Sequence, residues 1–157
     1  MPRVWLVRAG GSNVSWLDDF KNAGYIGVGY NLQKNLTGFV PHEEIEIAYR
    51  EANPDKSHQP TISRIVNQVE AFLFEIEHDD HILTPTRNRR VLMHGIANDS
   101  PAYFEAMAIG GLPHRRSVSW VDDGIEFAQQ ELEDLGIYGY RGTVKLISEV
   151  SDSLWER

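Results

Sequence analysis

Val4-Trp5-Leu6-Val7 breaks straight into Arg8-Ala9-Gly10-Gly11, and a short helical stretch later the chain reads Tyr25-Ile26-Gly27-Val28-Gly29-Tyr30-Asn31. Consecutive apolar residues bounded by glycine read as a strand buried on both faces. Ending that strand in an arginine and two glycines lets a ligand come close to the backbone. The second stretch is a strand thinned by Gly27 and Gly29 that delivers the Tyr30 ring and the Asn31 amide to its mouth. A flat ring beside an amide suits a planar, hydrogen-bonding group such as a base. Sheet core with bulges accounts for the same residues.

Working outward, strands are expected at 3–8 and 25–30, separated by a helix that Ser15 caps and Gly24 closes. Trp16 and Phe20 share one face of that helix. Pro41 followed by Glu43, Glu44 and Glu46 marks a second helix, with Ile45, Ala48, Tyr49 and Ala52 as its apolar stripe. A third helix is predicted over 61–76, on Ile62, Ile65, Val66, Val69, Phe72 and Ile76. Strands follow at 81–85, 90–97 and 101–107, the first two joined by a basic loop. Ser117-Val118-Ser119-Trp120 alternates like a half-buried strand. Asp122 and Asp123 can cap a helix carrying Ile125, Ala128 and Leu132 that stops at Gly136, and 143–147 is a last strand. Several neighbouring strands are joined too closely for parallel crossovers. The expected fold is therefore α+β, with a curved, mainly antiparallel sheet or small barrel.

With 157 residues, the chain reads as a single domain over 1–150 and a tail or linker start over 151–157, where Trp155 either packs back or leads onward. A hydrophobic content of 41% suffices for a core. The absence of cysteine excludes disulfides, thiolate nucleophiles and cysteine-bound zinc. No stretch approaches the ~20 apolar residues of a membrane span. Met1-Pro2-Arg3 runs directly into a strand without a signal-peptide pattern, so the expected location is the cytoplasm, away from membranes. A net charge of −8 argues against a non-specific nucleic-acid binder. It leaves room for a local basic face, and the bases do cluster: Arg87, Arg89 and Arg90 on a hairpin, Arg115 and Arg116 ahead of Trp120. Arginines so placed can grip phosphate oxygens, and they also read as solvated surface.

Other chemistry is poorly supplied. The sequence has no nucleophile elbow, Walker loop or complete dinucleotide fingerprint. His78-Asp79-Asp80-His81 offers metal-ligand types, yet such residues in a short turn are more often a solvated connector, and no metal or cofactor is called for. Asp19-Phe20-Lys21 and Pro54-Asp55 are fragments of a magnesium nuclease site in the wrong order, so a nuclease centre is not expected here.

The order of these motifs resembles the EVE-like, PUA-superfamily domains at the N-terminus of Mrr-type modification-dependent restriction endonucleases. The matching residues are Val4 to Gly10, Ile26 to Tyr30, Asn67-Gln68 with Phe72, Asp79 to Pro85, Arg90 to Ile96, Tyr103, and His114 to Trp120. Asp79 stands where that family has a turn glycine, and Tyr30 where it often has tryptophan.

The resemblance implies a PUA-like curved barrel with flanking helices that, like YTH and EVE domains, captures a modified base in an aromatic pocket. Carried over by position, Tyr30 and Asn31 form the pocket wall and an edge contact, Thr84 and Pro85 the opposite lip, and Arg8, Ala9 and Gly10 the floor or rim. Trp120, like Trp5, belongs to pocket or core. Arg87, Arg89, Arg90, Arg115 and Arg116 contact phosphates. The expected function is a non-catalytic reader of modified double-stranded DNA, the specificity module of a restriction system whose nuclease domain or subunit lies elsewhere. Two rivals stand beside it: a small amidohydrolase acting on a modified nucleoside, for which Thr84 and Lys34 are the available groups, and a reader of modified RNA.

Overall fold

A strand apolar on both sides must lie inside a sheet, and β1 (Val4–Val7) does. The computed structural model describes residues 2–10, 16–38, 40–106, 108, 111–139, 142–147 and 155. In it β1 pairs in parallel with β3 (His81–Pro85) and antiparallel with β7 (Val144–Ile147). A hairpin joins β3 to β4 (Val91–Ala97), in the register His81↔Ile96 to Pro85↔Leu92. The long strand β6 (His114–Glu126) pairs with β4 over its second half. Its first half pairs with β2 (Tyr25–Val28) and with the short β5 (Tyr103–Phe104). The order β2-β6-β4-β3-β1-β7 makes a mixed, strongly curled sheet, a half-barrel. Among the described strands, β1–β3 is the one parallel pair.

Side-chain alternation splits the core in two. Trp5, Val7, Ile82 and Met93 face the larger layer, with Phe20, Ile45, Tyr49, Ile62, Val66 and Phe72 from the helices. Val4, Leu6, Leu83 and Leu92 face the smaller one, with Phe127, Leu132 and Ile137. Burying a side chain such as Phe72 contributes roughly 2–3 kcal/mol. Gly95 lets the curled sheet close, since a Cβ there would lie 2.5 Å from Val118 and 2.7 Å from the Trp120 ring.

The helices follow their punctuation. α1 (Leu17–Ala23) ends at Gly24 with φ 68°, while the proposed cap Ser15 lies outside the described residues. α2 (His42–Ala52) starts after Pro41, with Glu43 and Glu44 against its positive end. α3 (Gln59–Glu70) runs into a π turn (Ala71–Glu75) closed by the 3.2 Å bond from Ile76 N–H to the Ala71 carbonyl. α4 (Gln129–Leu135) stops at Gly136, as expected, but starts later than the aspartates suggested. Asp122 and Asp123 lie within β6 instead, because pairing with β4 (Leu92↔Ile125, Val91↔Glu126) overrides the local helix signal. The strand expected over 101–107 shrinks to the two residues of β5.

Asp79 adopts φ 72°, so this turn keeps the left-handed geometry a glycine would supply. Asp80 next to it is buried and accepts from Trp5 Nε1 (2.9 Å) and from the backbone N–H of Arg3 (3.0 Å) and Glu77 (2.9 Å). Its carboxylate is thus engaged in structure, and among the described residues no group of three or more potential ligands gathers for a metal. Trp155 stacks on His81 and His94, with centroids 4.4 Å and 4.0 Å away, so this part of the tail packs back. Among the described residues no helix is long and apolar enough to cross a membrane.

Candidate functional site

Beyond β2 the chain makes a turn whose backbone is held under strain. Tyr30 and Asn31 both adopt left-handed geometry, with φ 54° and 61°. Each costs on the order of 1 kcal/mol for a residue with a Cβ, less for asparagine than for tyrosine. Asn53, buried at the end of α2, holds the turn. Its Nδ2 donates to the carbonyls of Tyr30 (2.9 Å) and Tyr49 (3.0 Å), while its Oδ1 accepts from Asn31 Nδ2 (2.8 Å). Tyr30 is thereby aimed inward, edge-on to Tyr49 at 6.4 Å, with its hydroxyl 2.8 Å from Thr143 Oγ1.

That hydroxyl also reaches Gln68 Oε1, at 3.3 Å. Gln68 projects from α3 and is 5% exposed. The same Oε1 accepts from the backbone N–H groups of Thr143 (2.7 Å) and Val144 (3.0 Å). Its Nε2 is buried and has no hydrogen-bond partner. A buried donor left open costs about 1–3 kcal/mol, and native proteins rarely keep one without a use. Thr84 Oγ1, on the larger-layer face of β3, is another buried polar atom without a partner.

Thr143 also links Tyr30 and Gln68 to Arg8. Its carbonyl accepts from Arg8 N–H at 2.9 Å. The Arg8 guanidinium donates to the Ile137 carbonyl (2.8 Å) and lies 6.0 Å from the Tyr138 ring. Arg89 sits 4.1 Å from the same ring, and Tyr138 donates its hydroxyl proton to the Arg89 carbonyl. Burial raises the Tyr138 pKa, and the positive charges of Arg89 and Arg8 partly offset that. An open groove of about 320 Å³ runs beside Arg89, Tyr138, Gln129 and Glu133. Arg87 is exposed at the tip of the same hairpin. Among the described residues no carboxylate lies within ion-pair distance of Arg87 or Arg89. Arg90 is exposed too, with its Nε on the Phe127 carbonyl (3.1 Å).

The remaining expected site residues lie apart from this group. Thr84 and Pro85 are buried within β3 and form no exposed lip. Ala9 is core, and Gly10, half-buried with φ 98°, turns the chain after β1. Trp5 is core, and Trp120 packs against it with Nε1 on the Phe20 carbonyl (2.7 Å). Arg115 lies over the Tyr25 ring at 4.1 Å and donates to the Leu112 carbonyl (2.8 Å). Arg116 is 5% exposed, turned toward the Leu73 (3.5 Å) and Ser100 (3.4 Å) carbonyls, and burial lowers its pKa. A guanidinium so placed does not reach a phosphate.

Gln68, Thr143, Asn53 and Tyr138 were not singled out as site residues from sequence. For Gln68 a signal existed: it lies three residues after Ile65 and four before Phe72, a polar residue on the apolar stripe of α3.

No curated protein matches the sequence. A family match spans residues 5–138, from Trp5 in β1 to Tyr138 beside Arg89 and through both Tyr30 and Gln68. The chain thus belongs to the family described as Domain of unknown function (DUF8426).

Proposed function

We propose that this domain is a non-catalytic reader of modified bases in double-stranded DNA, with a PUA-like architecture, serving a restriction system whose nuclease lies elsewhere. One observation carries the reading: Tyr30, held in a strained turn, shares its hydroxyl with a buried Gln68 amide whose nitrogen has no partner. Strain and an open buried donor are features that proteins concentrate where a ligand binds.

The neighbouring rim supports it. Arg8 is joined through Thr143 to Tyr30, and Arg89 shares the Tyr138 ring with Arg8. A base turned out of the duplex and stacked at Tyr30 leaves its flanking phosphates for Arg87 and Arg89. Turning the base out costs a few kcal/mol. Stacking returns about 1–3 kcal/mol, and the phosphate contacts supply the remainder.

The amidohydrolase reading has less to stand on. Lys34 is exposed in a groove with Asn31, Gln33, Ala48 and Glu51, whereas Thr84 is buried in β3. A fluorescent base analogue placed beside the modified position tests the proposal. Base capture brightens it on binding, whereas binding without any change in emission contradicts it.

A further inference from the structure

We infer that Gln68 sets the specificity of this site by demanding a hydrogen-bond acceptor on the captured base; this deepens the reader proposal and rests on it. The neighbours of the Gln68 amide fix which end faces where. The N–H groups of Thr143 and Val144 can only donate, so the atom 2.7 Å and 3.0 Å from them is the amide oxygen, and the Tyr30 hydroxyl lies on that oxygen as well. Flipping the amide would set its NH2 against two backbone donors. The orientation is locked, and what remains to be offered is the NH2 alone.

That NH2 is buried and has no partner in the chain, and it belongs to the amide that touches Tyr30. A group presenting only donors selects among bases by their edges. A ring nitrogen with a lone pair satisfies it. An N–H or a C–H at the same place leaves it open, at the penalty of an unpaired buried donor. Tyr30 supplies stacking that every base can use, so discrimination between one base type and another, as distinct from detection of the modification, falls to Gln68. Because Gln68 is buried, a base still in the stack does not reach it.

The experiment is a cycle between protein and ligand. Wild type and Gln68→Glu are titrated with duplexes carrying 5-methylcytosine or N6-methyladenine. Each duplex has a twin in which the lone-pair nitrogen of the base's Watson–Crick edge, N3 of the cytosine or N1 of the adenine, is replaced by C–H. Gln68→Glu keeps an oxygen for the Thr143 and Val144 N–H groups and removes the donor.

For the modified duplex that wild type prefers, the C–H twin is expected to bind at least about tenfold more weakly, and Gln68→Glu to abolish that difference. Equal binding of the twin by wild type overturns the inference. So does a twin penalty that persists in Gln68→Glu, which would put the contact on another residue. Should Gln68→Glu not fold, Gln68→Met takes its place in the cycle, removing the donor without adding a charge, and the same two outcomes decide. Failure of the reader proposal itself is distinguishable, because wild type then prefers neither modified duplex over its unmodified match.

Discussion

The β3–β4 hairpin with its neighbour Tyr138, and the first half of β6, carry the same kind of sequence signal and put it to opposite uses. Arg87, Arg89 and Arg90 occupy an exposed turn, where side chains point outward whatever the register, and Arg89 lies on Tyr138 beside an open groove. Arg115 and Arg116 are adjacent on a strand that has neighbours on both edges, so alternation sends them to opposite faces. Arg115 covers Tyr25 and Arg116 is buried beneath the π turn. A basic cluster in a turn is surface; in a central strand, about half of it becomes structure.

The comparison is broken most forcefully by acid. His114, next to Arg115, is fully buried, accepts from Leu36 N–H through Nε2 (3.1 Å), and has its pKa lowered from 6.5 to about 4 by desolvation. Between those values the unfolded chain takes up a proton that the native state refuses. Stability is therefore complete above pH 6.5 and falls as pH drops towards 4, by roughly 3 kcal/mol at 1.36 kcal/mol per unit. Urea midpoints measured across this range should show the loss in wild type and a flatter profile in His114→Gln.

Arg116→Ala is the next largest effect. It leaves two carbonyls without their donor and opens a cavity, and about 2 kcal/mol of stability should be lost in denaturant titration. Arg87→Ala should leave the same titration unchanged.

For binding the roles reverse. Arg87→Ala with Arg89→Ala should reduce the slope of log K against log salt by roughly two, at about 0.9 per phosphate contact, while Arg115→Ala leaves it alone. An equal change from Arg115→Ala would erase the distinction between the two regions.

The smallest effect concerns the strained turn. Asn31→Gly relieves the left-handed backbone at φ 61° but loses the bond to Asn53, so its melting temperature should stay near wild type. Asn31→Ala loses the bond without the relief, and it should lose about 1 kcal/mol of stability with a matching drop in melting temperature.

Much of the fold was legible because its signals are local. The apolar run at Val4–Val7, the αL stops at Gly24 and Gly136, and the hairpin strands stand where the sequence put them. The start of α4 was not legible, because pairing of Ile125 and Glu126 with β4 is a long-range choice. The parallel pairing of β1 with β3 was hidden for the same reason.

Of the candidate site, Tyr30, Asn31, Arg8, Arg87 and Arg89 were legible as residues at strand ends and in turns. Their grouping was not. It depends on Thr143, from the far end of the chain, which holds Tyr30 by its hydroxyl and Arg8 by its carbonyl. The Tyr30 ring is half-buried against the larger core layer. Tyr30→Ala should lower the melting temperature along with binding, and Tyr30→Phe is the cleaner probe of its hydroxyl.

The central claim is that this domain captures a modified base. It is tested most directly by titrating the domain, at one fixed salt concentration, with matched duplexes containing cytosine, 5-methylcytosine, 5-hydroxymethylcytosine, adenine or N6-methyladenine, with methylated RNA alongside. We expect one modified DNA duplex to bind at least about tenfold more tightly than its unmodified match, the modification itself adding contacts that the bare base lacks. Equal affinity for every duplex, or preference for the RNA, would contradict the account.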